Sequence, residues 1–300
     1  MSAPKNHQTI ANLAQRIRRR VLEHTLTAGG GYLSQACSSA EIFATLYSRL
    51  MRLGPSAAPS VPPPFLGTPG AGRPTTTGFA YNGPHAPGLD RFYLSCVQYA
   101  SVLYAVLVET ERMSPPGLAM FNADGGTVEM IGAEHSPGHE VTGGSLGQTL
   151  SQAAGVALAR RLKADTGRTF VFMSDGEFES GQTWEAMQAA AHFRLDGLLI
   201  YVDVNGQQCD GPTKTVSTLE PLHQRLAAFG ARVARGDGHD IAALIRPARR
   251  APDGRPLVVL ADTDPTRGLP ILKERAPKLH YVRFKDTIER DRYQECLASL

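Results

Sequence analysis

Asp175 and Asn205 stand thirty positions apart, and each follows an apolar run of strand-like composition. The first run, residues 169–173, ends in Ser174-Asp175-Gly176-Glu177; the second, residues 198–202, ends in Asp203-Val204-Asn205-Gly206. In an open parallel sheet, ligands bind outside the carboxyl ends of the strands. One carboxylate and one amide oxygen brought together there, beside a helix N-terminus, suit a hard divalent cation that carries a diphosphate. Taken alone, Asp175 could equally cap the helix that follows it.

The string Asp175-Gly176, with Asn205 downstream, resembles the thiamine diphosphate motif, Gly-Asp-Gly followed by an Asn-Asn pair. The flanking strings Gly144-Ser145-Leu146-Gly147-Gln148, Trp184-Glu185-Ala186, Ala190-Ala191-His192 and Asp210-Gly211-Pro212-Thr213 resemble the N-terminal half of transketolases. The resemblance runs from about Ile17 to His280. It implies thiamine diphosphate as cofactor with Mg2+ or Ca2+. The metal would be held by Asp175, Asn205 and the backbone carbonyl of Gln207. Gly144 and Leu146 match positions that pack on the aminopyrimidine, and Gly176 and Glu177 belong to the cofactor motif. Cys209 falls where the family has an aliphatic residue near the thiazolium. His280, in Lys278-Leu279-His280-Tyr281, matches a histidine near the diphosphate and the reacting carbons, and His135 matches a second active-site histidine.

The departures carry information too. Ser174 stands where the family has Gly, and Val204 where it has Asn. Two histidines that handle sugar hydroxyls and protons in the family are replaced by Tyr32 and Gln98. Both replacements can hydrogen-bond, but neither titrates near neutral pH. Tyr99 adds bulk where the family is small. These three residues imply a reshaped substrate pocket. Glu179 and Glu185 lie near the segment that crosses the dimer axis in the family, while Ser180 replaces the family glutamate there.

The elements that must position these residues alternate. Helices are expected over 8–25, 38–51, 95–111, 147–161, 182–193, 218–228 and 239–250, and strands over 169–173, 198–203, 230–235 and 256–261. That alternation predicts an α/β fold, a doubly wound parallel sheet flanked by helices, which the resemblance narrows to the thiamine diphosphate-binding fold. Ser38 and Glu41 have capping-box spacing, with Ser38 as N-cap of the second helix. Residues 54–88, rich in Pro and Gly, read as a long, partly mobile surface insertion, and residues from about 264 as a charged tail. Residues 1–300 are expected to form one diphosphate-binding domain.

A formal charge of +3 over 300 residues argues against nucleic-acid binding. The Arg16-Ile17-Arg18-Arg19-Arg20 cluster is expected to be a solvated helix face, because Ile10, Leu13, Ile17, Val21 and Leu22 form an apolar stripe between the arginines. Cys37, Cys96, Cys209 and Cys296 have no metal or disulfide spacing and read as reduced thiols. No apolar run is long enough to span a membrane, and no signal-peptide core is present. A cytoplasmic location is expected.

In the family, the glutamate that engages the aminopyrimidine belongs to a following pyrimidine-binding domain. The resemblance therefore implies a separate subunit supplying that glutamate and the C-terminal domain, most simply in an α2β2 assembly. The expected reaction is transfer of a two-carbon ketol unit from a ketose to an aldehyde, with a non-standard acceptor in a specialised biosynthesis. A subunit of a 2-oxoacid-decarboxylating enzyme and a non-catalytic cofactor-binding or regulatory subunit are the alternatives.

Overall fold

The computed structural model describes residues 6–67 and 77–300. Its centre is a five-stranded, all-parallel sheet. In chain order the strands are β1 (Arg91–Leu94), β2 (Thr169–Ser174), β3 (Leu198–Val204), β4 (Arg232–Asp237) and β5 (Leu257–Asp262). Their spatial order is β1-β2-β3-β5-β4. The register sets Ser174 beside Asp203 and Asp203 beside Ala261, so the carboxyl ends of the three central strands lie level.

Strands buried on both faces read as near-continuous apolar runs, and β2, β3 and β5 do so, interrupted only by Thr169, Ser174, Asp203 and Asp262 near their ends. Phe170, Phe172, Leu199, Tyr201, Leu257 and Val259 face one layer, made of α1 (His7–Ala28), α2 (Leu33–Thr45), α3 (Ala100–Glu109) and a helix at Ile241–Ala248. Val171, Met173, Ile200, Val202, Val258 and Leu260 face the other, made of α4 (Gln148–Leu162), α5 (Gly181–His192) and α6 (Leu222–Ala228). The doubly wound α/β architecture expected from the alternation is the one observed.

Three local expectations are corrected. The second helix starts at Leu33 rather than at residue 38, so Ser38 is not a cap. It lies mid-helix and fully buried, and Glu41 pairs with Arg18 and His239 instead of reaching back to an N-terminus. The basic cluster on α1 is a solvated face only in part: Arg16 and Arg19 are exposed, but Arg18 and Arg20 turn inward. Arg18 is buried against Glu41 and the carbonyl of Cys37, while Arg16 and Arg20 converge on Glu109 at the end of α3. The clustered positive charge is thus matched largely within the chain. Strand β1 was not anticipated, because four residues after a Pro/Gly-rich stretch give no clear period.

The 54–88 segment is more than a surface spacer. Residues 68–76 lie outside the described part, but the flanking stretches pack inward. Tyr81 is buried, and Arg112 donates to the carbonyls of Gly54 and Tyr81 at 3.0 and 2.9 Å. Gly83, at φ +99°, meets Gly54 so closely that a Cβ there would fall 2.7 Å from the Gly54 Cα. Among the described residues no helix is long and apolar enough to cross a membrane.

His139 closes the loop between α3 and α4. It is buried, its Nδ1 lies 3.2 Å from the carbonyl of Pro137, and its Nε2 has no partner. Burial pushes its pKa down to about 4. The folded imidazole thus stays neutral while the unfolded one, near 6.5, takes up a proton. Stability is intact above pH 6.5 and is lost as the pH falls toward 4, by about 3 kcal/mol at most. His139→Gln should flatten this acid limb in urea midpoints measured from pH 7 to 4.5; parallel profiles for the two proteins would refute the assignment.

Candidate functional site

The site forms where β2 and β3 end. Asp175 opens a short helical turn, Asp175–Glu179, directly after β2 and is only 2% exposed. Its Oδ1 accepts from the Gly176 N–H at 2.9 Å, and its Oδ2 accepts from the Gly206 N–H at 2.9 Å. The second bond ties the two strand ends together. Burial, and then the neighbouring Asp203, push the Asp175 carboxyl up to about 7.

Asn205 is positioned from behind. Its Nδ2 donates to the Tyr99 hydroxyl and to Asp203 Oδ2, both at 3.0 Å. Its Oδ1 accepts from the Gln207 N–H at 2.9 Å. The Tyr99 hydroxyl donates to the same Asp203 oxygen at 2.7 Å. Tyr99 therefore directs its polar end inward, where it braces Asn205.

Asp203 escaped the sequence reading as a site residue, and the structure makes it the hub. It is fully buried and accepts hydrogen bonds from Ser38, Tyr99, Asn205 and Thr263. Burial raises its pKa, while those four bonds oppose the shift. The available signal was a carboxylate within an otherwise apolar run, a residue type that is buried only when paired.

Glu177 is also fully buried, with both oxygens engaged. Oε1 accepts from Ser95 Oγ at 2.5 Å and from the Gly147 N–H at 3.3 Å, and Oε2 accepts from the Ser174 N–H at 3.1 Å. Burial pushes its pKa up to about 7. Its place is beneath the loop, joining the ends of β1 and β2 to the start of α4.

Most of the residues marked in the sequence converge on one cavity of about 110 Å3. Gln98, Tyr99, Leu146, Gly176 and Asn205 line it, and so do Gln207, Cys209 and His280. His280 reaches it from the C-terminal region, where Gln35 Nε2 donates to the His280 carbonyl at 3.2 Å and lies 3.4 Å from its Nδ1. Burial lowers the His280 pKa, which favours the neutral ring. Cys209 is exposed at the tip of a small hairpin, Gln207–Gln208 with Gly211–Pro212. A second, open cleft of about 550 Å3 meets the first at Asn205, and Asp175, Gly206, Lys214 and Arg235 line it.

Besides Glu177, which lies buried beneath the loop, three marked residues line neither cavity. Gly144 adopts φ +104° with Ile131 against it, so a Cβ would lie 2.8 Å from Ile131 Cγ2. His135 bonds Glu129 at 3.0 Å and packs on Phe65 with ring centroids 4.6 Å apart; it lines neither cavity. Tyr32 stands behind His280, edge-on at 5.3 Å.

The donors suit a hard cation bound together with a diphosphate. Asp175 is a buried carboxylate whose own bonds come only from backbone N–H groups. The Gln207 side-chain oxygen is buried with no partner. Among the described residues no cage of three His, Cys, Asp or Glu side chains exists. Any metal here would take most of its ligands from amide oxygens, phosphate and water, the pattern of Mg2+.

Comparison with known proteins agrees with this geometry. Residues 78–278 match the family described as transketolase, thiamine diphosphate binding domain. A transketolase family protein of Sinorhizobium fredii is 35% identical over 276 residues, covering 91% of this chain and 89% of that protein. The 6-deoxy-6-sulfo-D-fructose transketolase subunit SqwG of Clostridium sp. is 31% identical over 256 residues, covering 84% and 83%. The chain shares its fold with the crystal structure of Pichia stipitis transketolase, at a TM-score of 0.70 and 22% identity, covering 96% of this chain but only 44% of that one. By its family match and its relatives, this chain belongs to the transketolase family, as a thiamine diphosphate-binding domain.

Proposed function

We propose that this chain is the diphosphate- and metal-binding subunit of a heteromeric enzyme that transfers a two-carbon ketol unit from a ketose donor to an aldehyde acceptor. The observation that carries this reading is the convergence of Asp175, Asn205 and Gln207 at the ends of β2 and β3, beside a cavity that His280 lines. The near full-length match to a relative named as a transketolase subunit supports a partner chain. That partner would supply the pyrimidine-binding domain with its catalytic glutamate, most simply as α2β2, with neither chain active alone.

When bound, thiamine diphosphate supplies a carbanion-stabilising centre for cleaving and forming the carbon–carbon bond. The chain's own residues hold and orient. Asp175 carries the negative charge that fixes Mg2+, Asn205 presents its amide oxygen, and the Gln207 carbonyl completes the protein set. Leu146 and Cys209 furnish apolar contact at the mouth, and Gly144 allows the loop before α4 its left-handed turn. His280, kept neutral by burial, can accept a proton or hydrogen-bond to a phosphate or substrate oxygen. His135 keeps a weaker claim to proton transfer, because its ring is occupied by Glu129 and Phe65. The absence of a membrane-crossing helix among the described residues is compatible with a cytoplasmic enzyme.

Asp175→Ala should abolish Mg2+-dependent binding of thiamine diphosphate to the chain mixed with its partner, as read by calorimetry. Unchanged binding would remove the metal assignment. Tyr99→Phe should leave the fold intact but weaken Mg2+ binding roughly ten-fold, because the Asn205 amide loses one of its two anchors; equal affinity would show that Asp203 alone suffices. Returning histidine to positions 32 and 98 should raise turnover of ordinary ketose phosphates by the assembled enzyme, and no gain would count against a reshaped substrate pocket.

A further inference from the structure

A separate cavity of about 250 Å3 lies behind Tyr32, between the C-terminal end of α1 and the start of α3. It touches the cofactor-side cavity through Gln98, which lines both. Its other boundary with that cavity is the edge-on pair of Tyr32 and His280. A molecule seated here would thus extend away from the proposed reacting centre, on the side where the family's two histidines are replaced.

The lining is uncharged. None of the residues around the cavity is Asp, Glu, Lys or Arg. Its one titratable base, His24, is half-buried edge-on against Phe121, and that partial burial lowers its pKa. The walls are Tyr32, Phe121, Met130 and Tyr281. Two of the polar groups are already committed: Thr25 Oγ1 donates to the Val21 carbonyl, and Asn122 Oδ1 accepts from the Met130 N–H. The buried Ser101 hydroxyl has no partner, and the Tyr32 and Tyr281 hydroxyls and the Gln98 and Asn122 amide nitrogens also border the space. A phosphate needs a cationic side chain or a cluster of backbone donors, and this lining provides no cation. Aromatic and thioether walls edged by uncharged hydroxyl and amide groups match a small, uncharged, largely aromatic or apolar group.

We propose that this cavity is the chain's specificity subsite, and that it takes the unphosphorylated, apolar or aromatic tail of a carbonyl substrate whose reacting end lies toward His280. The subsite rests on the ketol-transfer reading above and assigns its substrate class: an uncharged aldehyde or ketone rather than a sugar phosphate.

The probe is 4-fluorobenzyl alcohol, an uncharged aromatic that cannot form an imine with lysine, followed by 19F NMR on the chain assembled with its partner. The expected result is saturable binding that D-glyceraldehyde 3-phosphate does not displace. Met130→Trp, which fills the cavity from its rim, should weaken binding at least ten-fold, and Ser101→Val should do so several-fold. Absence of saturable binding, equal binding in Met130→Trp, or displacement by the sugar phosphate would each overturn the subsite. Calorimetry with thiamine diphosphate and Mg2+ on the same assembly separates the two levels. Cofactor binding without probe binding removes the subsite alone, whereas probe binding without cofactor binding removes the ketol-transfer reading and leaves an apolar ligand site.

Discussion

A single buried carboxylate organises the functional end of this molecule. Asp203 closes β3 with no exposure to water, and an unpaired charge in such a place costs several kcal/mol. It persists because α2 contributes Ser38, the turn before α3 contributes Tyr99, the segment after β5 contributes Thr263, and the loop after β3 contributes Asn205. Four stretches of chain, distant in sequence, therefore have to meet at one point for the carboxylate to be satisfied. Asn205, which faces the proposed metal, inherits its orientation from that meeting. Asp175 is then held across the gap by the Gly206 N–H, so the two proposed ligands are set by bonds made behind them.

A second buried carboxylate repeats the device one strand over. Glu177 joins Ser95, Gly147 and Ser174, and so connects β1, the start of α4 and the turn after β2. The first turn after β2 is thereby immobilised by its own third residue, as in a capping box. Asp175, Glu177 and Asp203 all have raised pKa values caused mainly by burial. They differ in what answers that burial. Glu177 is met by side-chain and backbone donors and Asp203 by four side-chain donors, whereas Asp175 has backbone N–H groups alone, and that difference is what singles it out as the proposed cation ligand.

The fold was legible because apolar runs at 169–173 and 198–203 are unambiguous and because helices of matching length separate them. Asp175, Asn205 and His280 were legible because several short strings occur in one order. What stayed hidden depends on contacts far apart in sequence. Ser38 has the spacing of a cap, yet the helix begins at Leu33 because the residues before Ser38 are buried against the core, and packing overrides a local capping signal. Arg18 and Arg20 of α1 look solvated until α2 and α3 bring Glu41 and Glu109 to them, while Arg16 and Arg19 stay exposed. Asp203 reads as a strand end until its four partners arrive. His135 shows the opposite case, since a motif-like neighbourhood did not bring it to the cavity once Glu129 and Phe65 lay closer.

The replacements around the cavity belong to one physical change. Tyr32 and Gln98 take away two rings that could carry a proton near neutral pH, and Tyr99 fills space while turning its hydroxyl toward Asp203. Tyr32 instead presents its edge to His280 and Tyr281, which extends an aromatic surface from the proposed reacting centre into the chamber behind it. Cys96, at the floor of the smaller cavity, is buried and its thiol is pushed well above the ordinary range, so it adds no charge either. Buried carboxylates are thus concentrated at the strand ends, where the metal and diphosphate would sit, while the chamber behind Tyr32 has no charged residue in its lining. A site divided in this way would grip a highly charged cofactor while leaving uncharged ground for what reacts with it, because the charges on Asp175 and on a bound diphosphate would be answered locally by the proposed metal and not by the lining of the proposed substrate chamber.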